Sequence, residues 1–504
     1  MKLHSFHLVK AQWRTAVASA LVSLCMCACA VGPRYSRPAT PVPPSYKEQE
    51  QPGWTVANPQ DSALRKDWWT SFQDSELNAL EAQVHVSNQS IAAAMAQFQN
   101  AHAAVLASRS NLFPTVTAAP SYSNSRQPTT GKRAINEVSL PIEASWEPDL
   151  WGRVRSDIAS NRATAQALAA DAASLELSIH AELASDYFQL RGADEAARAL
   201  DQIVEQFQRS VELTEDRVRT GLAAQQDVLQ AQTQLDAARV QRIDLGVQRA
   251  QLEHAIAVLI GKPPAEFSIS VASFEPHLPI IPPGLPSELL ERRPDIAAAE
   301  RRAEAANAQI GVAKAAFYPD VTLGASAGLA TTDLSQVLSW PSRAWSIGPA
   351  LAQTIFDKGR RRALTDEAVT AYDIAAANYR QTVLAAFQNV EDQLAAIRVL
   401  ANEADAQDRA LRDADGELDL TRSNYEAGTV SFLNVISAQT DLLNQRVASV
   451  NLTTRRVNSI VLLIKALGGG WDVSQLPSAE QLQGKRASAN VDAAEKVSPP
   501  GHKP

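Results

Sequence analysis

The sequence predicts a mixed α+β chain made twice over, in which short strands lead into very long helices that pack like coiled coils. Three features predict it: an internal repeat, stretches of about ten residues with strict polar/apolar alternation, and two stretches of roughly 67 residues without proline. Composition agrees. Aromatics are only 6% of the chain and Ala, Gln, Leu, Asp, Glu and Arg dominate long tracts, a mixture suited to extended helices meeting along narrow seams. The net charge of -8 excludes the basic face that a nucleic-acid partner needs.

The repeat comes first, because a fixed self-similarity decides the architecture. Gly221 to Leu235 aligns with Gly428 to Leu442, a shift of 207 residues, and Val228/Val435, Ala231/Ala438, Gln232/Gln439 and Thr233/Thr440 coincide. The same shift pairs Gly152 with Gly359 and Gly261 with Gly468. A Pro-rich joint, Lys262 to Pro286, separates the two units.

Strands are read from period two. Val138, Leu140, Ile142, Ala144 and Trp146 share one face of 138–147; Val321, Leu323, Ala325, Ala327 and Leu329 share one face of 321–329. Weaker alternation marks 116–123 and 345–356. The opposite faces are small or polar, as expected where strands line a wet lumen.

After Gly152 and Gly359 the period becomes helical. Leu200, Val204, Phe207, Val211 and Val218 follow heptad-like spacing, as do Val383, Phe387, Val390, Leu394 and Ile397. Helices are predicted over 153–219 and 360–427, each about 100 Å long at 1.5 Å per residue. Gly221 and Gly428 permit the reversal that ends each one. Return helices are predicted over 222–260 and, in front of the first strand, 88–112; laid end to end they match the long helix beside them.

The N-terminus is an address. Lys2, Lys10 and Arg14 precede an apolar run of about 11 residues, Ala16 to Met26, too short to span a bilayer and typical of a secretory leader. All three cysteines (Cys25, Cys27, Cys29) lie at this junction, so none can form a disulfide or metal site in the body. Cys29 resembles the lipidated cysteine of bacterial lipoproteins and precedes a proline-rich tether. The organisation expected is a leader over 1–28, a lipidated start and tether over 29–66, repeat 1 over 67–261, a linker over 262–286, repeat 2 over 287–470 and an unstructured polar tail over 471–504. Each repeat holds a helix, two strands, a long helix and a return helix. Trp68 and Trp69 are expected to be packing anchors near the middle of the long helices, and Trp146 and Trp151 to mark the periplasmic boundary.

Four strands cannot close a barrel, and an open sheet edge cannot face lipid. The chain is therefore expected to oligomerise through its strands into a tube, with the barrel in an outer membrane and the helices below. The run Trp146-Glu147-Pro148-Asp149-Leu150-Trp151-Gly152-Arg153, the turn Tyr425-Glu426-Ala427-Gly428 and the end Leu467-Gly468-Gly469-Gly470-Trp471 together resemble the TolC-like outer-membrane efflux family. Cys29-Ala30-Val31-Gly32-Pro33 is similar to its NodT-type lipoprotein branch. The resemblance covers about residues 25–472.

It implies a homotrimer with a 12-stranded barrel above an α-helical barrel, exporting substrates passed on by a periplasmic adaptor and an inner-membrane proton-driven pump. No cofactor is implied beyond a lipid on Cys29. It further implies that Arg219, Gly221, Leu222, Gly428 and Thr429 form the adaptor-contact turns. A periplasmic gate is implied at Tyr425, Asp227 and Leu433, with Asn434 and Ser437 standing where several relatives carry carboxylates. Two other readings compete. A trimeric coiled-coil scaffold or adhesin would share the heptads but not the strands. Gly324-Ala325-Ser326-Ala327-Gly328 fits the G-x-S-x-G of serine hydrolases, yet sits inside an alternating strand where no sharp turn presents Ser326.

Overall fold

The structure is a computed structural model that describes residues 31–49, 66–126, 134–281 and 286–484. Cys29, the leader and residues 485–504 lie outside the described residues. In chain order the main elements are α1 (Ser75–Ser87), α2 (Gln89–Ser110), β1 (Thr115–Ala118), β2 (Ser121–Ser125), β3 (Ile135–Trp146), α3 (Arg153–Arg219) and α4 (Gln225–Leu259) in the first half. The second half has α5 (Pro294–Ala315), β4 (Asp320–Thr331), β5 (Arg343–Ala352), α6 (Arg360–Glu426) and α7 (Phe432–Ala466).

Both long helices are 67 residues, about 100 Å, and both return helices are 35. The symmetry follows from matched punctuation. Gly152 and Gly359 start the long helices in the left-handed region, at φ 78° and 87°. At their ends Leu222 N donates to Arg217 O and Thr429 N to Asn424 O, the six-residue closure of a glycine-capped helix. The return helices close the same way, through Lys262 N to Ala257 O and Gly469 N to Ile464 O. They are shorter than the predicted 222–260 because the three residues after each glycine complete the reversal before helical bonding resumes.

Two clusters bury the seams. At mid-rod Leu183, Tyr187, Phe188 and Leu190 of α3 meet Val383, Val390 and Leu394 of α6 and Val461 and Ile464 of α7. Towards the glycine turns Leu200, Phe207 and Val211 meet Leu235, Leu418, Phe432 and Leu442. At mid-rod α2 and α4 stack end to end along α3: Asn88 caps α2 by accepting from Ser90 N and Ile91 N, while its Nδ2 donates to Leu259 O at 2.8 Å. In the second half Arg293 makes the same joint, its Nη1 donating to Ala466 O at 2.8 Å.

Three features differ from expectation. Helix α1 was not foreseen; Asp74 caps it by accepting from Glu76 N and Leu77 N, and also accepts from the Tyr187 hydroxyl at 2.7 Å. The proline-rich segment is not a free tether through residues 31–49. Val31 N donates to Trp151 O, Tyr35 Oη to Glu300 Oε1 at 3.2 Å, and the Lys47 and Glu48 amides to the two oxygens of Glu391. Tyr46 is fully packed, 2% exposed. An extended strap makes no internal ladder, so these helix side chains satisfy its backbone instead. The tail likewise docks through Gly484: Leu482 is 1% exposed against Val105 and Ala165, and Gln166 Nε2 donates to Pro477 O.

The tryptophan pair is an anchor. Trp68 is buried edge-on to Trp69 and Phe72, and Trp69 stacks on His180 at 4.5 Å. Burial holds the His180 imidazole down to about 4 and pushes its partner Glu81 well above the usual carboxylate range, and the two side chains meet at 2.6 Å. Nearby, Asp194 accepts from both Arg191 and Arg249 Nε; these arginines also reach Ser270 O and Ile269 O, tying the linker after α4 to the rod.

Candidate functional site

The sheet is a meander in which β1 and β2 both pair with β3, β3 with β4 and β4 with β5, all antiparallel. The stretch predicted as one strand over 116–123 is two pieces because Pro120 has no N–H to donate. The last strand ends at Ala352, short of the expected Phe356.

Register sorts the faces. Ile142, Ala327 and Trp345 form one cross-strand row, and Ala144, Ala325 and Ile347 the next, on the same face. Glu143, Ser326 and Ser346 lie between them on the other face. The apolar face is open: Trp345 is 78% and Ile347 75% exposed within the single chain. Both outer edges, β1/β2 and β5, are unpaired among the described residues. Ser326 lies in mid-strand with its Oγ 2.9 Å from Ser346 Oγ, so no sharp turn presents it as a nucleophile.

The strand-to-helix junction is stapled from both halves. Trp146 Nε1 donates to Leu112 O; Trp151 Nε1 donates to Pro319 O at 2.8 Å, and its ring stacks on Tyr318. Asp149 accepts from Val154 N and Arg155 N, serving as the cap of α3, where carboxylate charge is favoured.

At the other end lie the glycine turns. Gly221 (φ 73°) and Gly428 (φ 77°) have no heavy atom within 4 Å of a notional Cβ, and Leu222 beside the first is 72% exposed. Arg219 pairs with Asp216, and Thr429 Oγ1 donates to Asn424 O. Leu433, Asn434 and Ser437 are all exposed along one face of α7 and bring no charge. Tyr425 is buried against Phe432; the Arg217 guanidinium lies 4.3 Å above its ring and donates to its carbonyl at 2.8 Å. The structure does not join Tyr425 to Asp227 within the chain: Asp227 Oδ2 accepts from Ala224 N at 3.3 Å, capping its own helix, and the Tyr425 hydroxyl has no partner.

Sequence reasoning missed Arg217 and Gln439. Both line or flank a polar cleft of about 120 Å³ beside Tyr425, walled also by Asp415, Asp419 and Arg422. Gln439 donates to Ser210 Oγ at 2.8 Å while its Oε1 is left without a partner. Its match to Gln232 in the repeat was the available signal.

No helix among the described residues is long and apolar enough to cross a membrane. Comparison with known proteins gives the family. A family model described as outer membrane efflux protein matches residues 81–262 and 285–469, the two repeats. The chain is 34% identical over 468 residues to the outer membrane protein OprJ of Pseudomonas aeruginosa, covering 90% of this chain and 96% of that one. It is 30% identical to the solvent efflux pump outer membrane protein SrpC of Pseudomonas putida, covering 89% and 96%. The solved outer-membrane channel OprN superposes with a TM-score of 0.83 at 31% identity, covering 88% of this chain and all of that one. With the two repeats, the one-sided sheet and the glycine-capped rods, these matches place the chain in the outer membrane efflux protein family.

Proposed function

We propose that three copies close into one duct, a 12-stranded barrel in the outer membrane continued by a helical tube, which receives substrates from a periplasmic adaptor and an inner-membrane pump. The observation that carries this reading is the sheet: two unpaired edges and an apolar face with nothing against it need other copies and lipid. The family relation supports the outer-membrane efflux role. A coiled-coil scaffold without transport has no use for such a sheet.

The anchor belongs to the same reading. Val31, two positions after Cys29 in the sequence, donates its N–H to Trp151 O at the strand-to-helix junction. Radiolabelled palmitate is expected to enter the wild type and not Cys29→Ser; equal labelling of the two removes the anchor.

At the far end the proposed gate is Leu433 with Asn434 and Ser437, a ring without carboxylates and hence weak in cation selectivity. The unpartnered Tyr425 hydroxyl is the donor left over for Asp227, a bond to be made when the copies assemble. A hydrogen bond to a charged group is worth about 1.5–3 kcal/mol. In planar bilayers the wild type is expected to show low resting conductance, and Tyr425→Phe with Asp227→Ala a higher open probability. Unchanged resting conductance rejects the lock; channels never seen with any variant reject the duct.

A further inference from the structure

Among the described residues Arg343 is the one charged side chain on the mainly apolar face of the strands. It opens β5 and shares its row with Leu329 and Leu140; below it on the same face follow Trp345, Ile347, Pro349 and Leu351. Ten residues, Arg343–Ala352, make up the strand. At about 3.4 Å per residue and a tilt near 40°, they rise roughly 25 Å, the height of the apolar band of an outer-membrane barrel. The β4–β5 turn lies at the end of the sheet away from the helices. Arg343 therefore stands at the outer rim of that band, where an arginine costs about 0–1 kcal/mol, against about 2–4 at the midplane.

Its surroundings are built. The central guanidinium carbon lies over the Trp340 ring, 3.3 Å from its centroid, and Trp340 is 75% exposed. Such stacking fixes the plane of the group and leaves its N–H edge free to bind in a fork. The turn that carries Trp340 is braced, with Ser342 Oγ donating to Gln336 O at 2.7 Å. No carboxylate pairs with Arg343 among the described residues. The nearest acid of the turn, Asp333, is occupied by the Ser335 amide and hydroxyl. Glu137 and Glu143 alternate onto the opposite face.

Assembly does not supply an acid either. The edge that closes onto β5 in the proposed trimer is β1/β2, and Thr-Val-Thr-Ala followed by Ser-Tyr-Ser-Asn-Ser contains no Asp or Glu. The anion must come from outside the protein.

We propose that Trp340, Arg343 and Trp345 form a binding site for the phosphate of an outer-leaflet glycolipid, with the acyl chains lying on the Ile347 to Leu351 face. Phosphate matches the guanidinium edge in charge and geometry. Trp345, one row nearer the midplane, sits where an indole prefers the boundary between headgroups and hydrocarbon. The proposal rests on the barrel reading above and adds a ligand to it.

Full-length protein extracted in mild detergent is incubated with bisphosphorylated lipid A or its dephosphorylated form and examined by native mass spectrometry. The wild type is expected to retain the phosphorylated lipid about tenfold more than Arg343→Ala, with Arg343→Lys intermediate because it keeps the charge and loses the stack. Millimolar inorganic phosphate is expected not to displace the lipid. Equal retention by wild type and Arg343→Ala, or equal retention of dephosphorylated lipid, overturns the site. Displacement by inorganic phosphate assigns it to free anions and overturns the lipid. Single-channel conductance of the same preparations separates the two levels: intact channels with unaltered lipid retention sink only the site, whereas no channels sink the barrel.

Discussion

Gly221→Trp with Gly428→Trp is expected to abolish export while the assembled channel stays in the membrane. The two turns tolerate bulk inside the chain, since nothing lies within 4 Å of a Cβ at either position. What remains is backbone strain at φ 73° and 77°, about 1–2 kcal/mol for each residue forced into the left-handed region. Helices of 67 residues held by two buried clusters withstand that loss. The surface changes instead: two large rings now stand at the extreme end, where the adaptor is proposed to seat. Gly468→Ala provides the contrast. There φ is 95° and a Cβ would lie 2.0 Å from Arg292 O, at the joint between the second pair of short helices. That variant is expected to lose assembly as well as export. Crosslinking to the adaptor, heat-resistant oligomer on gels and substrate accumulation are the readouts. Adaptor crosslinks that persist in the Gly221 and Gly428 variants refute the contact.

The second large effect tests which face of the sheet meets lipid. Ile347→Arg is expected to remove the oligomer from the outer membrane, while Ser346→Arg, one residue away, leaves it in place with altered conductance. Ile347 stands in the row of Ala325 and Ala144, well below the rim set by Arg343. An arginine near the midplane costs about 2–4 kcal/mol in each copy. Three copies multiply the cost to roughly three times that, comparable to the whole stability of a typical domain. Ser346 faces Ser326 on the other side, where water solvates a charge. Membrane fractionation reads the outcome. Equal levels of both variants in the outer membrane would show that the faces are misassigned.

Long-range order was legible where glycine and proline punctuate it. The start of α3 at Arg153 and its end at Arg219 could be read because Gly152 and Gly221 bound a proline-free run whose apolar seam never slips. The apolar face of β3 was equally open, because Val138 to Trp146 alternate without a break. Features that depend on partners far along the chain left no local trace. The strap over 31–49 has the composition of a tether; partners such as Glu300 and Glu391, more than 260 positions away, make it structure. Leu482 is one of a few apolar residues scattered through a polar tail, and its seat is supplied by α2 and α3. Around Tyr425, the repeat pointed to Gln439, whereas Arg217 arrives from α3 with no pattern to announce it. Helix α1 was readable in principle, since Asp74 before Ser75-Glu76 is a cap signal, but the first helix of repeat 1 is predicted only from 88.

The strap has a further consequence for how the protein is made. A chain delivered from its N-terminus presents the strap first and the seat of the strap much later. Its bonds to Glu300, Glu391 and Arg398 span 265 to 350 positions, and β3 must wait for β4, which begins at Asp320, before its second edge is covered. An unfinished or cut chain thus shows two marks at once: an undocked proline-rich end and a strand with bare amides. Both are what periplasmic chaperones and proteases grip. Completion of the second half hides both marks together, so a finished chain is told from an unfinished one by a single event of folding.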